Sequence, residues 1–134
     1  MYMQIKEAIP SRLEIIPDFI ARLIERLNDL PLNEETIFSV KLCLQEAVVN
    51  AVKHGNKFNE NAKVEVAILI DSGELTLEVT DQGQGFIPKE VPDPTTPENI
   101  TKLSGRGIFL IKKNMNKVLF VNRGRTIRMT KILK

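Results

Sequence analysis

The amino-acid sequence predicts an α+β fold, a two-layer α/β sandwich with helices on one face of a mixed, largely antiparallel sheet. Apolar residues recur at helical spacing in two segments before residue 55, whereas they alternate in the segments after residue 62. The alternating segments come in pairs joined by short turns, which is typical of hairpins. This order of elements, in a chain of 134 residues, predicts one domain over residues 1–134.

The first predicted elements are an edge strand and two helices. Residues 3–9 alternate weakly, which predicts a short strand. A helical segment opens at Pro17 and stops at Pro31, with apolar residues at Phe19, Ile20, Leu23, Ile24, Leu27 and Leu30. Asn33 is a favourable N-cap for the second helix, and Gly55 is predicted to end it.

A hairpin and a long loop are predicted next. Residues 63–70 and 74–80 alternate, and Asp71-Ser72-Gly73 between them is typical of a tight turn. Four prolines between residues 88 and 97 exclude regular structure, so this segment is predicted to be a loop or lid.

The chain closes with a predicted third helix and a second hairpin. Apolar residues at helical spacing cover residues 104–116. Residues 117–122 and 125–133 then alternate around Arg123-Gly124, which favours a turn between two strands.

Composition excludes several classes of protein. Hydrophobic residues make up 43% and charged residues 27%, as in ordinary globular proteins, and no apolar run is long enough to span a membrane. A single cysteine, Cys43, excludes an internal disulfide and a multi-thiol metal site. We therefore expect a cytoplasmic protein with no membrane partner.

Charge is distributed unevenly along the chain. Residues 1–100 carry nine Lys and Arg against seventeen Asp and Glu, whereas residues 101–134 carry ten Lys and Arg and no acid. A basic segment can meet phosphates, an acidic protein or nucleic acid, or it can be a solvated face. The chain has only seven aromatic residues and no DNA-reading helix signature, so no direct contact with nucleic acid is expected.

The second helix carries a polar stripe. Glu46 and Asn50 are four residues apart and share one face, and Lys53 and His54 continue it. A carboxylate can accept a proton, and an amide oxygen can coordinate a hard cation such as Mg²⁺. The alternative is a polar face turned to solvent.

Two glycine motifs follow. In Asp81-Gln82-Gly83-Gln84-Gly85-Phe86, the glycines allow close approach of a ligand, and the aspartate can accept a hydrogen bond from an amine such as that of adenine. In Ser104-Gly105-Arg106-Gly107, backbone N–H groups at a helix start suit phosphate. The alternatives are a locally capped glycine turn and a flexible helix start.

The order of these motifs resembles one superfamily. A helix with E-x-x-x-N, a strand ending in D-x-G-x-G, a lid and a G-x-G helix start are similar to the nucleotide-binding domain of gyrase, heat-shock chaperones, histidine kinases and MutL-type ATPases. The stretch E-A-V-V-N-A-V-K-H-G-N, the T-T-P of the lid and the length further resemble the anti-sigma factor serine/threonine kinases. This implies the histidine-kinase-like ATPase fold.

The resemblance also implies a role for each matching residue. Glu46 would be the general base towards a substrate hydroxyl, and Asn50 would be the Mg²⁺ ligand. Asp81 would recognise adenine. Further ATP-binding positions would be Lys53, His54, Gly83, Gly85, Phe86, Ser104, Gly105, Arg106, Gly107, Ile108 and Thr126. Relatives often carry arginine where this chain has Leu103, so Arg106 or Lys102 would have to take its place.

The implied function is that of a Mg-ATP-dependent protein serine/threonine kinase. It would phosphorylate a small antagonist protein, sequester a sigma factor or similar partner, and form a homodimer. The alternative is a non-catalytic, ATP-dependent partner-binding module, for which Glu46 would be dispensable.

Overall fold

A computed structural model of the protein describes residues 1–83 and 106–133. The strands are β1 (Met3–Pro10), β2 (Lys63–Asp71), β3 (Glu74–Thr80), β4 (Lys117–Val121) and β5 (Thr126–Ile132). The α-helices are α1 (Ile16–Asn28), α2 (Glu34–Asn50) and α3 (Arg106–Asn114). A 3₁₀ turn (Leu13–Ile15) precedes α1, a π-helical turn (Ala51–Gly55) continues α2, and a 3₁₀ turn (Asn122–Gly124) joins β4 to β5.

The five strands form one sheet in the order β1-β2-β3-β5-β4, and every pair among the described strands is antiparallel. Along β2, buried residues alternate with more exposed ones, so one face of the sheet is covered and the other is open. The covered face packs against α1 and α2, whose buried side chains include Phe19, Leu23 and Leu44. The predicted α+β sandwich is confirmed.

Several local predictions are also confirmed. The Asn33 side chain caps α2 by accepting a hydrogen bond from the backbone N–H of Thr36 at 2.8 Å. The turn between β2 and β3 has two left-handed central residues, Ser72 (φ 52°) and Gly73 (φ 77°), which suits the twist of a hairpin. Residues 3–10 form the predicted edge strand, and β4 and β5 form the second hairpin.

The helical segment ends at Gly55, as predicted, but without the left-handed glycine that commonly ends a helix. The helix continues through a π-helical turn to Gly55, and Gly55 does not have a positive φ. The chain turns away at Lys57 (φ 49°) and Phe58 (φ 61°), while the N–H of Asn56 bonds to the carbonyl of Ala51 at 2.7 Å. Gly55 is therefore needed for a reason other than backbone conformation.

The predicted lid and the start of the third helix, residues 84–105, lie outside the described residues. The described part of the third helix runs from Arg106 and buries Gly107, Ile108 and Ile111. None of the described helices is long and apolar enough to cross a membrane.

Candidate nucleotide-binding site

A cavity of about 180 Å³ lies between the end of α2, the end of β3, α3 and the β4–β5 hairpin. It brings together three of the segments that the sequence motifs singled out. The residues that line it are Ala47, Asn50, Ala51, His54, Gly55, Lys57, Val79, Asp81, Ile108, Phe120, Gly124, Arg125 and Ile127.

Asn50 contributes a buried amide to this cavity. Both its Oδ1 and its Nδ2 atoms are buried, and neither has a hydrogen-bond partner within the described part of the chain. Leaving a buried amide unpaired is costly, so native proteins do so rarely. A buried amide oxygen without a hydrogen-bond partner at a cavity can serve as a ligand for a hard cation.

Glu46 lies one turn before Asn50 on α2 and is partly buried, but it does not line the cavity. Its carboxylate lies near Cys43, one turn earlier. Burial raises the pKa of the Cys43 thiol to about 12, and Glu46 acts in the same direction. Cys43 is therefore a neutral core residue, with no role as a nucleophile.

Asp81 directly follows β3, and its carboxylate is partly buried. Its Oδ1 atom accepts a hydrogen bond from the N–H of Gly83 at 2.8 Å. Burial raises the pKa of Asp81, whereas the Gly83 N–H and the Arg125 guanidinium act in the opposite direction. The Asp81 carboxylate thus lies at the cavity, and one of its oxygens accepts a hydrogen bond from within the turn that follows β3.

Two glycines allow this turn to pack against the end of α2. A Cβ on Gly55 would overlap the Asp81 carboxyl group, and a Cβ on Gly83 would overlap the carbonyl of Gly55. Only glycine at both positions lets the two segments approach this closely. The sequence analysis predicted that Gly83 allows close approach of a ligand, which stays a prediction, and it missed the contact of Gly83 with Gly55. The role of Gly55 was missed because its position also suits a helix stop.

Asn56 was also missed by sequence reasoning. Its Oδ1 accepts from the N–H of Gln82 at 2.7 Å, and its Nδ2 donates to the Ser11 hydroxyl at 2.8 Å and to the Lys63 carbonyl at 3.0 Å. The Gln82 side chain in turn accepts from the N–H of Lys63 at 2.7 Å. This buried amide connects the end of α2 to the turn that carries Asp81. The only sequence signal was its position directly after His54-Gly55.

The basic residues predicted on the second helix, Lys53 and His54, lie in the π-helical turn after α2 and differ in their contact with the cavity. His54 lines the cavity, whereas Lys53 is exposed and does not. Lys57, which the sequence analysis did not single out, lines the cavity instead. His54, Lys57 and Arg125 line the same cavity as Asp81, the one carboxylate among the described lining residues. This excess of basic groups suits an anionic ligand.

The predicted G-x-G helix start is only partly described. Arg106 is exposed, Gly107 is buried, and Ile108 is 2% exposed and lines the cavity. Ser104 and Gly105, together with Gly85 and Phe86 of the other glycine motif, lie outside the described residues.

Thr126 is buried beside the cavity but does not line it. Its hydroxyl lies 2.8 Å from that of Thr80 across the β3–β5 pair, and it accepts from Asn122 Nδ2 at 2.9 Å. Its neighbours Arg125 and Ile127 do line the cavity. The role of Thr126 in binding adenine stays a prediction.

Apolar side chains form the remaining walls. Val79, Phe120 and Ile127 project from three neighbouring strands, and Ala47 and Ala51 project from the helical side. Such an apolar surface beside a single carboxylate suits an aromatic base that carries an amine. The alternation of β4 and β5 placed Phe120 and Ile127 on one face, but the sequence analysis did not assign them to the site.

Comparison with known proteins agrees with this geometry. The family described as "Histidine kinase-like ATPase domain" matches residues 9–131. An anti-sigma F factor from Clostridium botulinum is 30% identical over 118 residues, which cover 84% of this chain and 78% of that protein. The serine-protein kinase RsbW from Oceanobacillus iheyensis is 27% identical over 98% of this chain and 88% of its own length.

Structural comparison supports the fold. The crystal structure of the RsbU and RsbW domains of a Mycobacterium tuberculosis protein superposes with a TM-score of 0.67 at 15% identity. The match covers 98% of this chain and 32% of that protein, so the chain corresponds to about a third of that structure.

Proposed function

The chain belongs to the histidine kinase-like ATPase family, within its anti-sigma factor serine kinases, and on this premise we propose how residues 1–134 work as a single kinase domain. The protein is an ATP-dependent protein serine/threonine kinase. Its substrate is a serine or threonine of a small antagonist protein, and it also sequesters a sigma factor or a similar partner. One observation carries the assignment of the site: the buried Asn50 amide, which has no partner among residues 1–83 and 106–133, at a cavity whose other polar groups include Asp81.

The residues present fit Mg-ATP. The Asn50 oxygen is a suitable ligand for Mg²⁺, because it is buried and unpaired in the part of the chain that is described. Bound Mg²⁺ supplies charge neutralisation for the phosphates and for the phosphoryl group in transfer. The basic residues around the cavity, His54 and Lys57, lie where they can attract the anionic ligand.

The base of the nucleotide is assigned to the part of the cavity beside Asp81. One oxygen of Asp81 accepts a hydrogen bond from Gly83, and the other, which lies against Gly55, would accept the amine. Val79 and Ile127 supply the apolar contact for the ring. Towards the phosphates, Arg106, Gly107 and Ile108 are the first described residues of α3, and the N-terminal end of a helix favours anions.

Glu46 is proposed as the general base. It lies one turn from Asn50, on the same helix and outside the cavity, so it can meet a hydroxyl that approaches from the partner protein. Its carboxylate would take the proton of the serine or threonine hydroxyl as the hydroxyl oxygen bonds to the γ-phosphorus, while the bond from this phosphorus to the bridging oxygen breaks and ADP leaves. Proton transfer of this kind contributes about 10²–10⁴-fold to the rate.

The test replaces Glu46 with its isosteric amide. Glu46→Gln should bind Mg-ATP as the wild type does, and it should lose about 10²–10⁴-fold in phosphotransfer to the antagonist. Glu35→Gln, an exposed acid in the first turn of α2, is the matched control and should retain both properties. Equal transfer by Glu46→Gln would refute the assignment of the base, and ATP binding without transfer by the wild type would favour a non-catalytic binding module.

We further propose that the protein is a cytoplasmic homodimer. The open face of the sheet exposes Leu69, Leu119 and Ile132, which supports an additional apolar contact there. Light scattering of the purified protein at micromolar concentration should give twice the mass of 15.2 kDa. A monomer across the tested range would argue against the dimer without affecting the kinase assignment.

A further inference from the structure

We propose that Arg125 is a positioning residue that holds the Asp81 carboxylate in place and thereby determines the preference of the site for adenine. The proposal rests on the assignment of the cavity to ATP. Arg125 lines the cavity on the β4–β5 hairpin, opposite the end of α2.

Arg125 holds the turn after β3 by two hydrogen bonds. Its carbonyl accepts from the N–H of Asp81 at 2.9 Å, and its Nε donates to the carbonyl of Gly83 at 2.7 Å. The N–H of Gly83 donates to Asp81 Oδ1 at 2.8 Å. Both ends of the three-residue turn are therefore bonded to the same arginine, and the first residue of the turn carries the carboxylate.

The position of Arg125 in the sheet explains why its backbone is available. The β3–β5 ladder ends at the pair Thr80 and Thr126, and Arg125 and Asp81 are the next residues on the two strands. The bond between Asp81 N–H and the Arg125 carbonyl thus extends the ladder by one step. The side chain adds the second bond through its Nε–H, the donor next to Cδ.

Arg125 also acts on the charge of Asp81. Burial raises the pKa of Asp81, and the guanidinium lowers it. The other charged or titratable residues that line the cavity are His54 and Lys57, from the segment after α2, and only the Arg125 guanidinium among them acts on the pKa of Asp81. Removal of the guanidinium should therefore make Asp81 protonate at higher pH.

The ionisation and the position of the Asp81 carboxyl group determine which base the site binds. Adenine presents an exocyclic amine, which donates to a carboxylate, whereas guanine presents a carbonyl oxygen at the corresponding position. A fixed, ionised Asp81 accepts a hydrogen bond from the adenine amine and repels the guanine carbonyl oxygen. A mobile or protonated Asp81 attracts adenine less and repels guanine less. Loss of Arg125 should therefore weaken the discrimination between the two bases as well as the affinity for adenine.

The test compares Arg125→Ala, Arg125→Lys and the control Arg123→Asn. Arg123 is exposed and has a left-handed backbone (φ 59°) that asparagine tolerates, so Arg123→Asn removes the same charge from the same turn. Calorimetry should show that Arg125→Ala weakens Mg-ADP binding about tenfold, the effect of losing one charge-assisted hydrogen bond. The ratio of ADP to GDP affinity should fall with it, and Arg123→Asn should match the wild type.

A second measurement separates positioning from general damage to the fold. The Asp81 carboxyl carbon, followed by NMR in the nucleotide-free protein, should titrate at higher pH in Arg125→Ala and near the wild-type pH in Arg125→Lys. The signal comes from Asp81 itself, so it reports on the ionisation of this carboxyl group rather than on binding.

The outcomes distinguish this proposal from the assignment of the site. If the wild type binds ADP and Arg125→Ala keeps its affinity, its preference and its Asp81 titration, Arg125 has no positioning role. If Arg125→Lys loses affinity as Arg125→Ala does but neither changes the Asp81 titration, the effect is structural and the proposal fails. A wild type that binds neither nucleotide would overturn the nucleotide site and this proposal with it.

Discussion

Gly55 and Asp81 lie so close together that a single added methyl group on Gly55 would overlap the Asp81 carboxyl group. The two residues belong to different layers, since Gly55 ends the π-helical turn after α2 and Asp81 follows β3. The contact brings the helix that carries Asn50 against the turn assigned to adenine. The geometry of the site therefore depends on the absence of a side chain at residue 55.

Substitution of Gly55 should weaken nucleotide binding as well as the stability of the fold. In Gly55→Ala, the Asp81 carboxylate has to move, so we expect at least a tenfold loss of Mg-ATP affinity. Overpacking of this kind should lower the free energy of unfolding by about 1–3 kcal/mol. Binding by calorimetry and unfolding in urea measure the two effects.

The control for this prediction is Gly73→Ala. Gly73 has a positive φ of 77°, and no atom of the described residues lies within 4 Å of the place that a Cβ would occupy. Alanine there strains the backbone without displacing a neighbour, so it should lower stability and leave ATP affinity unchanged. Wild-type affinity in Gly55→Ala would show that the site tolerates displacement of Asp81.

The ionised Asp81 carboxylate should lower the stability of the folded protein, although it contributes to nucleotide binding. Burial raises its pKa in the folded protein above the value in the unfolded chain, so the fold disfavours the ionised form. That cost is absent at pH below the unfolded pKa and is fully present once the pH has risen above the folded pKa. Asp81→Asn should therefore unfold at a higher temperature than the wild type at pH 7.5 and should have lost adenine binding.

The pH dependence is the sharper part of this prediction. The difference in melting temperature between Asp81→Asn and the wild type should shrink as the pH falls through the range in which Asp81 protonates. Asp71→Asn, an exposed aspartate in the β2–β3 turn, should show no such difference. If the difference in melting temperature between Asp81→Asn and the wild type were the same at all pH values, ionisation of Asp81 would not destabilise the fold.

The sequence predicted most of the fold because local interactions specify its elements. Asn33 caps α2 through its own side chain, and Ser72-Gly73 adopts the backbone that a two-residue hairpin requires. The spacing of Glu46 and Asn50 placed them on one face of a helix without any tertiary information.

The missed residues act through contacts that no local pattern encodes. Arg125 reaches Gly83, which is 42 residues away, and Asn56 reaches Ser11 at a separation of 45. Such contacts depend on how the layers pack, and a single sequence does not show them. Gly55 was interpreted as a helix stop because the same residue type serves turns and close approaches.

Asn50 should be dispensable for folding and essential for metal-dependent binding. Its buried amide has no partner in the described part of the chain, so removal of its polar atoms relieves a desolvation cost. We expect Asn50→Ala to change the free energy of unfolding by less than about 1 kcal/mol, because this relief offsets the lost packing. The shift in melting temperature that Mg-ATP induces in the wild type should disappear.

Gln45→Ala provides the comparison, since Gln45 is an exposed amide on the same helix. It should keep the Mg-ATP shift. Destabilisation of Asn50→Ala by several kcal/mol would indicate that the amide has a structural role, and a full Mg-ATP shift in that variant would exclude Asn50 as the metal ligand.

Asn56 should show the opposite behaviour, because its side-chain amide is bonded at both its oxygen and its nitrogen. Asn56→Ala leaves the N–H of Gln82 and the carbonyl of Lys63 without their partner, and we expect a loss of about 2–3 kcal/mol in the free energy of unfolding. ATP affinity should also fall, since Gln82 lies between Asp81 and Gly83. Asn59→Ala, an exposed amide in the same loop, should have a much smaller effect on both.

Asn56→Asp separates these two consequences. An aspartate still accepts from Gln82 but cannot donate to Ser11 or Lys63, and its charge faces the Lys63 carbonyl. Stability should therefore fall at least as far as in Asn56→Ala, whereas the affinity of the remaining folded protein should stay closer to that of the wild type. If both variants lose affinity equally, the bond to Gln82 does not hold the turn, and Asn56 acts on the site only through the stability of the fold.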